Sequence, residues 1–258
     1  MSNSASSGST AAVRDEFFDA LADARRRTVL QVVYQRSPDE LEKDDLARHL
    51  AAVTMDTRPA EVTDDDYQGA LVDIHHRLVP SLTDAGLLET VDDETVVLGD
   101  HPAFDDSLLE GIVSARHDAD DATLDAVFRA LAADRRRTVL SILAEEDRPL
   151  ETETLARRVA AREAETAERE VAQERVDEVA TTFVHVHGPM LADASLVDYD
   201  AETGRVVDVD HPIVDPEWIR PGNAAATATG ESATVERHVD DATPATHQLI
   251  YRARPRSP

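Results

Sequence analysis

Two arginine triplets and two histidine-bearing stretches are the residues of this 258-residue chain whose type and spacing could do chemistry. Arg25, Arg26 and Arg27 stand where a helical pattern begins, and Arg135, Arg136 and Arg137 repeat them 110 residues on, inside an identical RRRTVL sextet. The macrodipole disfavours cations at a helix start, so helix stabilisation explains the triplets poorly. One arginine of each is expected to reach a carboxylate of its own domain, and those left exposed could hold phosphate. His75, His76 and Arg77 lie midway along a long apolar-periodic segment with Gln68 upstream, and His185 and His187 occupy the matching region of the second half. Side chains of these types on the exposed side of a helix can reach base edges in a major groove, whereas Asp73 among them could accept only from a cytosine amino group. Arg48, Arg157 and Arg158 complete the cationic candidates.

Other chemistry is poorly represented. Histidine could bind metal, but no repeated spacing supplies three ligands, so no metal site is expected. His76 and His185 correspond between the halves, which suggests a shared packing or hydrogen-bonding role, and His187 is expected to be a buried imidazole with its bonds satisfied. There is no glycine-rich phosphate loop, nucleophile elbow or H-E-x-x-H helix. Carboxylate runs such as Asp64-Asp65-Asp66 read as solvated surface in so acidic a chain, and without cysteine there is no thiolate nucleophile or disulfide frame. Neither catalysis nor a cofactor is expected.

The composition is extreme: 26 basic against 53 acidic residues, a net charge of −27, and Lys43 as the only lysine. A dense carboxylate surface suits a cytoplasm in which molar salt screens its self-repulsion. The opening run, residues 1–10, has no apolar stretch and does not read as a signal peptide. No segment reaches the roughly 20 apolar residues needed to span a bilayer. A soluble, cytoplasmic, halophilic protein is the expectation, with aliphatic cores because only 4% of the residues are aromatic.

The elements that must position the candidate residues come in two copies. Leu21 to Leu30 returns as Leu131 to Leu140; Leu46-Ala47-Arg48 returns as Leu155-Ala156-Arg157; the pattern Pro80-x-Leu82-x-Asp84-Ala85-x-Leu87 returns from Pro189; Asp100-His101-Pro102 returns from Asp210. Offsets of 109 or 110 in unbroken order indicate duplication. Domains are expected over residues 13–104 and 119–215, with 1–12 a disordered tail, 105–118 a linker or an extra helical turn, and 216–258 a disordered tail.

Within the first copy, Phe17, Phe18 and Leu21 share a helical face, and Asp23 reads as the N-cap of a helix over 24–35. Asp44 can cap a third helix carrying Leu46, Leu50 and Val53. Thr63 with Asp66 marks the start of a long fourth helix, with Leu71, Ile74, Leu78 and Leu82 inward, ending near Gly86. Period-two runs around Leu88 and Val96, and again from Leu196 to Val209, predict hairpins.

The order ALAD-x-RRR-x-VL, LARHL, then HHRLVPSLTDAGLLE and a hairpin resembles the arsenic-repressor-like winged helices. Within them it is most similar to a haloarchaeal group of winged-helix domains of unknown function found in transcriptional regulators. The resemblance implies a mainly α fold with small β-hairpin wings, tandem winged helix-turn-helix domains, and a DNA-binding regulator whose copies act as a pseudo-dimer on two half-sites of double-stranded DNA. The alternative is a protein-interaction module on the same scaffold, because a net charge of −27 repels a polyanion and counterion release drives little in molar salt. Two departures stand out. Residues 54–63 separate helices that a compact helix-turn-helix joins through roughly 3–4 residues. In the second copy Ser195 replaces Gly86 and His187 replaces Leu78.

Overall fold

Asp23 divides the first two helices of the computed structural model, which describes residues 4–114 and 117–220. Its carboxylate accepts the N–H groups of Arg25 (2.9 Å) and Arg26 (3.1 Å), two of the donors a helix start leaves unpaired. Helix α1 (Ser4–Leu21) therefore gives way at once to α2 (Ala24–Arg36). Because α1 begins at Ser4, most of the segment expected as an N-terminal tail is helical; residues 1–3 lie outside the described residues.

A short strand that sequence periodicity did not suggest, β1 (Leu41–Glu42), leads into α3 (Lys43–Thr54). This helix starts one residue before the expected cap, so Asp44 and Asp45 lie in its first turn, where the macrodipole favours them. Leu46 and Leu50 are buried as expected, but Val53 is 52% exposed. A 3₁₀ turn (Pro59–Glu61) precedes α4 (Asp64–Asp73), whose start is capped as expected by Thr63, the acceptor of the Asp66 N–H at 3.2 Å.

The expected long fourth helix is one course broken by a π turn. After α4 comes the wide turn Ile74–Leu78 and then α5 (Val79–Asp84), with the Val79 N–H bonded five residues back to the Ile74 carbonyl. Pro80 supplies the cause: it lacks an N–H, and its ring would press on the carbonyl of His76 in a regular α-helix. Gly86 ends the course at φ +71°, as its freedom from a Cβ allows. Strands β2 (Leu88–Thr90) and β3 (Thr95–Leu98) then form the expected hairpin, and β1 pairs with the other edge of β3, giving an antiparallel sheet of order β1-β3-β2.

The segment 105–118 contributes α6 (Ser107–Val113), which is packed in place: Leu109, Ile112 and Val113 are buried, and Gln31 Nε2 donates to the Ile112 carbonyl at 3.1 Å. The second unit repeats the first in α7 (Asp121–Leu131), α8 (Asp134–Leu143), β4 (Leu150–Glu151), α9 (Thr152–Glu163), α10 (Gln173–Thr182), a π turn (Phe183–His187), α11 (Gly188–Asp193), β5 (Val197–Asp200) and β6 (Arg205–Asp208), with sheet order β4-β6-β5. Its π turn again precedes a proline, Pro189. Ser195 keeps the positive φ of Gly86, at 57°. The chain is thus mainly helical, two repeated units each carrying a small antiparallel sheet. Among the described residues no helix is long and apolar enough to cross a membrane.

A last helix, α12 (Pro216–Ile219), falls in the region expected as a disordered tail, and its Trp218 is 8% exposed; residues 221–258 lie outside the described residues. Trp218 stacks obliquely on Phe18 and Phe128, each ring centroid 6.0 Å away, and its indole N–H donates to Asp106 at 2.8 Å. Phe18 and Phe128 are equivalent residues of the two repeats and lie 6.5 Å apart. The two units share one continuous apolar core where α1 meets α7.

Candidate nucleic-acid interface

The arginine triplets divide by position, in the same way in both units. The third arginine crosses between them. Arg27 donates to Asp125 (2.6 Å) and Asp121 (2.9 Å) on α7, and Arg137 donates to Asp15 on α1 (2.6 Å). Arg27 and Arg137 are equivalent, as are Asp15 and Asp125, so each repeat gives the other what it receives. That is the signature of an isologous interface. Each arginine also donates to the last carbonyl of the helix before it, Leu21 at 2.8 Å and Leu131 at 2.7 Å, and each is only 1% exposed. Burial pushes the Asp15 carboxyl up, against the pull of Arg137. One arginine of each triplet does reach a carboxylate of its own domain, Arg25 at Asp73 and Arg135 at Glu163, whereas the interface carboxylates that Arg27 meets belong to the other repeat. The exchange has one asymmetry, since the second carboxylate on Arg137 is Asp134 (3.0 Å), on its own helix.

The middle arginine secures the end of the preceding helix. Arg26 donates through Nε to the Ala20 carbonyl (2.9 Å), and Arg136 does the same to Ala130 (2.5 Å) and donates through Nη2 to the Arg129 carbonyl (2.7 Å). The first arginine forms a partly exposed ion pair, Arg25 with Asp73 (2.5 Å) and Arg135 with Glu163 (2.5 Å). Arg27, Arg136 and Arg137 are buried, so as phosphate contacts they are corrected to structural residues.

The remaining cations are also engaged. Arg48 lies over the Tyr67 ring, 4.7 Å from its centroid. Arg157 donates to Gln173 (2.6 Å) and stands 3.5 Å from Glu153; Arg158 pairs with Glu146. Arg77 is half exposed, 3.5 Å from Asp73 one turn away. His75 stands 3.8 Å from Glu94 at the hairpin tip. Gln68, His76 and His185 are exposed on the helix courses ahead of the hairpins.

Equivalent positions on those courses differ between the units. Gln68 becomes Asp177, Gly69 becomes Glu178, His75 becomes Val184 and Arg77 becomes Val186, while His76 is retained as His185. Arg175, the cation on α10, is held by Glu163 and Glu178 at 2.7 Å each.

His187 corrects its expectation. It is half-buried, and its Nδ1 has no hydrogen-bond partner. Burial, reinforced by Arg136 and Arg135, lowers its pKa to about 4. The Asp-His-Pro landmark, read only as a sign of duplication, has a local role: the Nδ1 atoms of His101 and His211 accept the N–H of Ala103 (3.2 Å) and Ile213 (3.3 Å), each opening the turn that follows a hairpin. Burial lowers the pKa of His101, which stacks on Phe17 with centroids 5.1 Å apart. Among the described residues no group of three or more histidine, aspartate or glutamate side chains is placed to hold a metal ion.

Set against known proteins, the chain is matched twice by one family model, a domain of unknown function designated DUF7344, over residues 18–98 and 128–207. Both segments fall within the two structural units. No curated protein and no solved structure gives a significant match.

Proposed function

The chain belongs to the DUF7344 family through both repeats, and on that footing we propose that it is a non-enzymatic, winged-helix, DNA-binding transcription regulator of a salt-adapted archaeal cytoplasm. The observation that carries this reading is the helix course of residues 64–84, which stands directly ahead of a hairpin and exposes Gln68, His76 and Arg77. A hairpin behind such a helix is the arrangement by which a winged helix lays one helix in the major groove. Gln and Arg are side chains that pair with purine edges in two directions at once. In molar salt counterion release supplies little affinity, so base contacts rather than phosphate contacts must supply preference. The pseudo-symmetric pairing of the units supports the pseudo-dimer expected from the repeat.

The test is duplex binding by the full chain in molar KCl. Changing His76 and Arg77 together to alanine is expected to reduce discrimination between selected and random duplex by about tenfold or more while helicity is unchanged. A folded wild type that prefers no sequence overturns the reading. One observation favours the second reading, a protein-interaction module. The arginines that could have met phosphate are tied to internal partners, and Asp64, Asp65, Glu174, Asp177 and Glu178 are exposed on the two helix courses.

A further inference from the structure

A two-fold arrangement of identical readers would select a palindrome, because each half-site meets the same side chains. Here the readers are not identical. The middle of the first course presents Gln68, Gly69, Val72, His76 and Arg77; its exposed carboxylates Asp64 and Asp65 lie in the first turn and Asp84 at the end, and Asp73 between them is partly buried, paired with Arg25 and 3.5 Å from Arg77. The middle of the second presents Asp177, Glu178, Thr181, His185 and Val186, all exposed. Carboxylates at Asp177 and Glu178 would face phosphate oxygens at close range, and at a base edge they could accept only from the amino groups of cytosine or adenine. Asp177 is moreover already bonded by Gln173 Nε2 at 2.9 Å, and Glu178 by Arg175. His185 survives between two valines, without the neighbours that His76 has in His75 and Arg77. The second hairpin does not restore the charge, since its Arg205 stands opposite Asp200 in the strand register. The interface arginines, by contrast, are the same in both units. Pairing has been kept while one reading surface has changed chemistry.

We infer that only the first unit reads base pairs, so that the DNA element is a single non-palindromic site and the second unit serves as a scaffold that braces the first through the arginine exchange. The inference rests on the DNA-binding reading. Recognition is then assigned to Gln68, His76 and Arg77, and not to Asp177, His185 and Val186.

The experiment is selection from a random duplex library by the full-length protein in molar KCl, read by sequencing, with circular dichroism to show that each variant is folded. The wild type is expected to enrich one contiguous asymmetric motif. Gln68→Ala with His76→Ala is expected to lower enrichment about tenfold or more, whereas His185→Ala is expected to leave the motif unchanged. Asp177→Gln with Glu178→Gly and Val186→Arg, which gives the second course the first's side chains at the positions assigned to reading and removes its second carboxylate, is expected to add an inverted copy of the motif about one helical turn away. An inverted repeat enriched by the wild type overturns the inference and leaves DNA binding standing, as does a loss from His185→Ala equal to that from Gln68→Ala with His76→Ala. Enrichment of nothing by a folded wild type overturns the DNA-binding reading, and the inference with it.

Discussion

Arg25 in the first repeat pairs with Asp73 on α4, while its counterpart Arg135 meets Thr182 at the equivalent place (3.2 Å) and takes its carboxylate from Glu163 on α9. Two residues further along, Arg27 and Arg137 make the same 2.6 Å contact with equivalent aspartates of the opposite unit. The outer arginine can change partners because a partly exposed ion pair contributes little and is easily replaced. The inner arginine keeps its interface aspartate and differs only in its second carboxylate, Asp121 for Arg27 and Asp134 for Arg137, because a guanidinium left without a carboxylate there would be a charge buried without compensation. Burial thus separates what the repeats have kept from what they have altered: the interface is constant and the exposed helix surface is not.

The largest expected effect is at the constant positions. Arg27→Ala and Arg137→Ala should each destabilise the folded chain by about 3–5 kcal/mol in chemical denaturation, and by similar amounts. A much smaller loss for Arg137→Ala would mean that Asp134, on the same helix, and not Asp15 across the interface, is its main partner.

An intermediate effect is expected where the repeats fill one space differently. The first unit places Ile74 and Val79 at the ends of its π turn; the second places Phe183 and Gly188, and a Cβ on Gly188 would lie 3.1 Å from the Phe183 ring. Gly188→Val should cost about 1–3 kcal/mol by overpacking, and Phe183→Ile in the same chain should recover most of it. Additive losses would show that the two positions do not compensate each other.

His187 stands where the first unit has Leu78, so His187→Leu should stabilise the protein by about 1 kcal/mol by removing a half-buried nitrogen without a partner. The folded pKa lies below the ordinary value, so between about 6.5 and about 4 the unfolded chain binds a proton that the folded chain does not. Stability contributed by the neutral imidazole is therefore lost as pH falls through that window. The leucine variant should show a shallower decline there than the wild type. Smallest of all, Arg25→Ala should cost about 0.5 kcal/mol, and less as salt is raised.

Local signals made the architecture legible. The Asp23 and Thr63 caps, the Gly86 terminator and the hairpin turns each act within a few residues, and the duplication was visible in RRRTVL and the proline-anchored pattern. Other features depend on partners distant in the chain. Nothing local to Arg27 says that its carboxylates lie 94 and 98 residues on. Strand β1 is only two residues long and exists because β3 offers it an edge. Trp218 sits in a polar stretch whose composition suggested disorder, yet two phenylalanines from different repeats give it a site. The π turns did have a signal, Pro80 and Pro189 inside helical patterns, which breaks the regular ladder at a known offset.

The claim that the two repeats form one body joined by exchanged arginines is tested most directly by the only tryptophan, which lies between them. Urea unfolding of the full chain in molar KCl should give coincident transitions in Trp218 fluorescence and far-ultraviolet circular dichroism, because the interface and the helices are lost together. A fluorescence transition complete before helicity begins to fall would mean that the units separate while still folded, and would contradict the account.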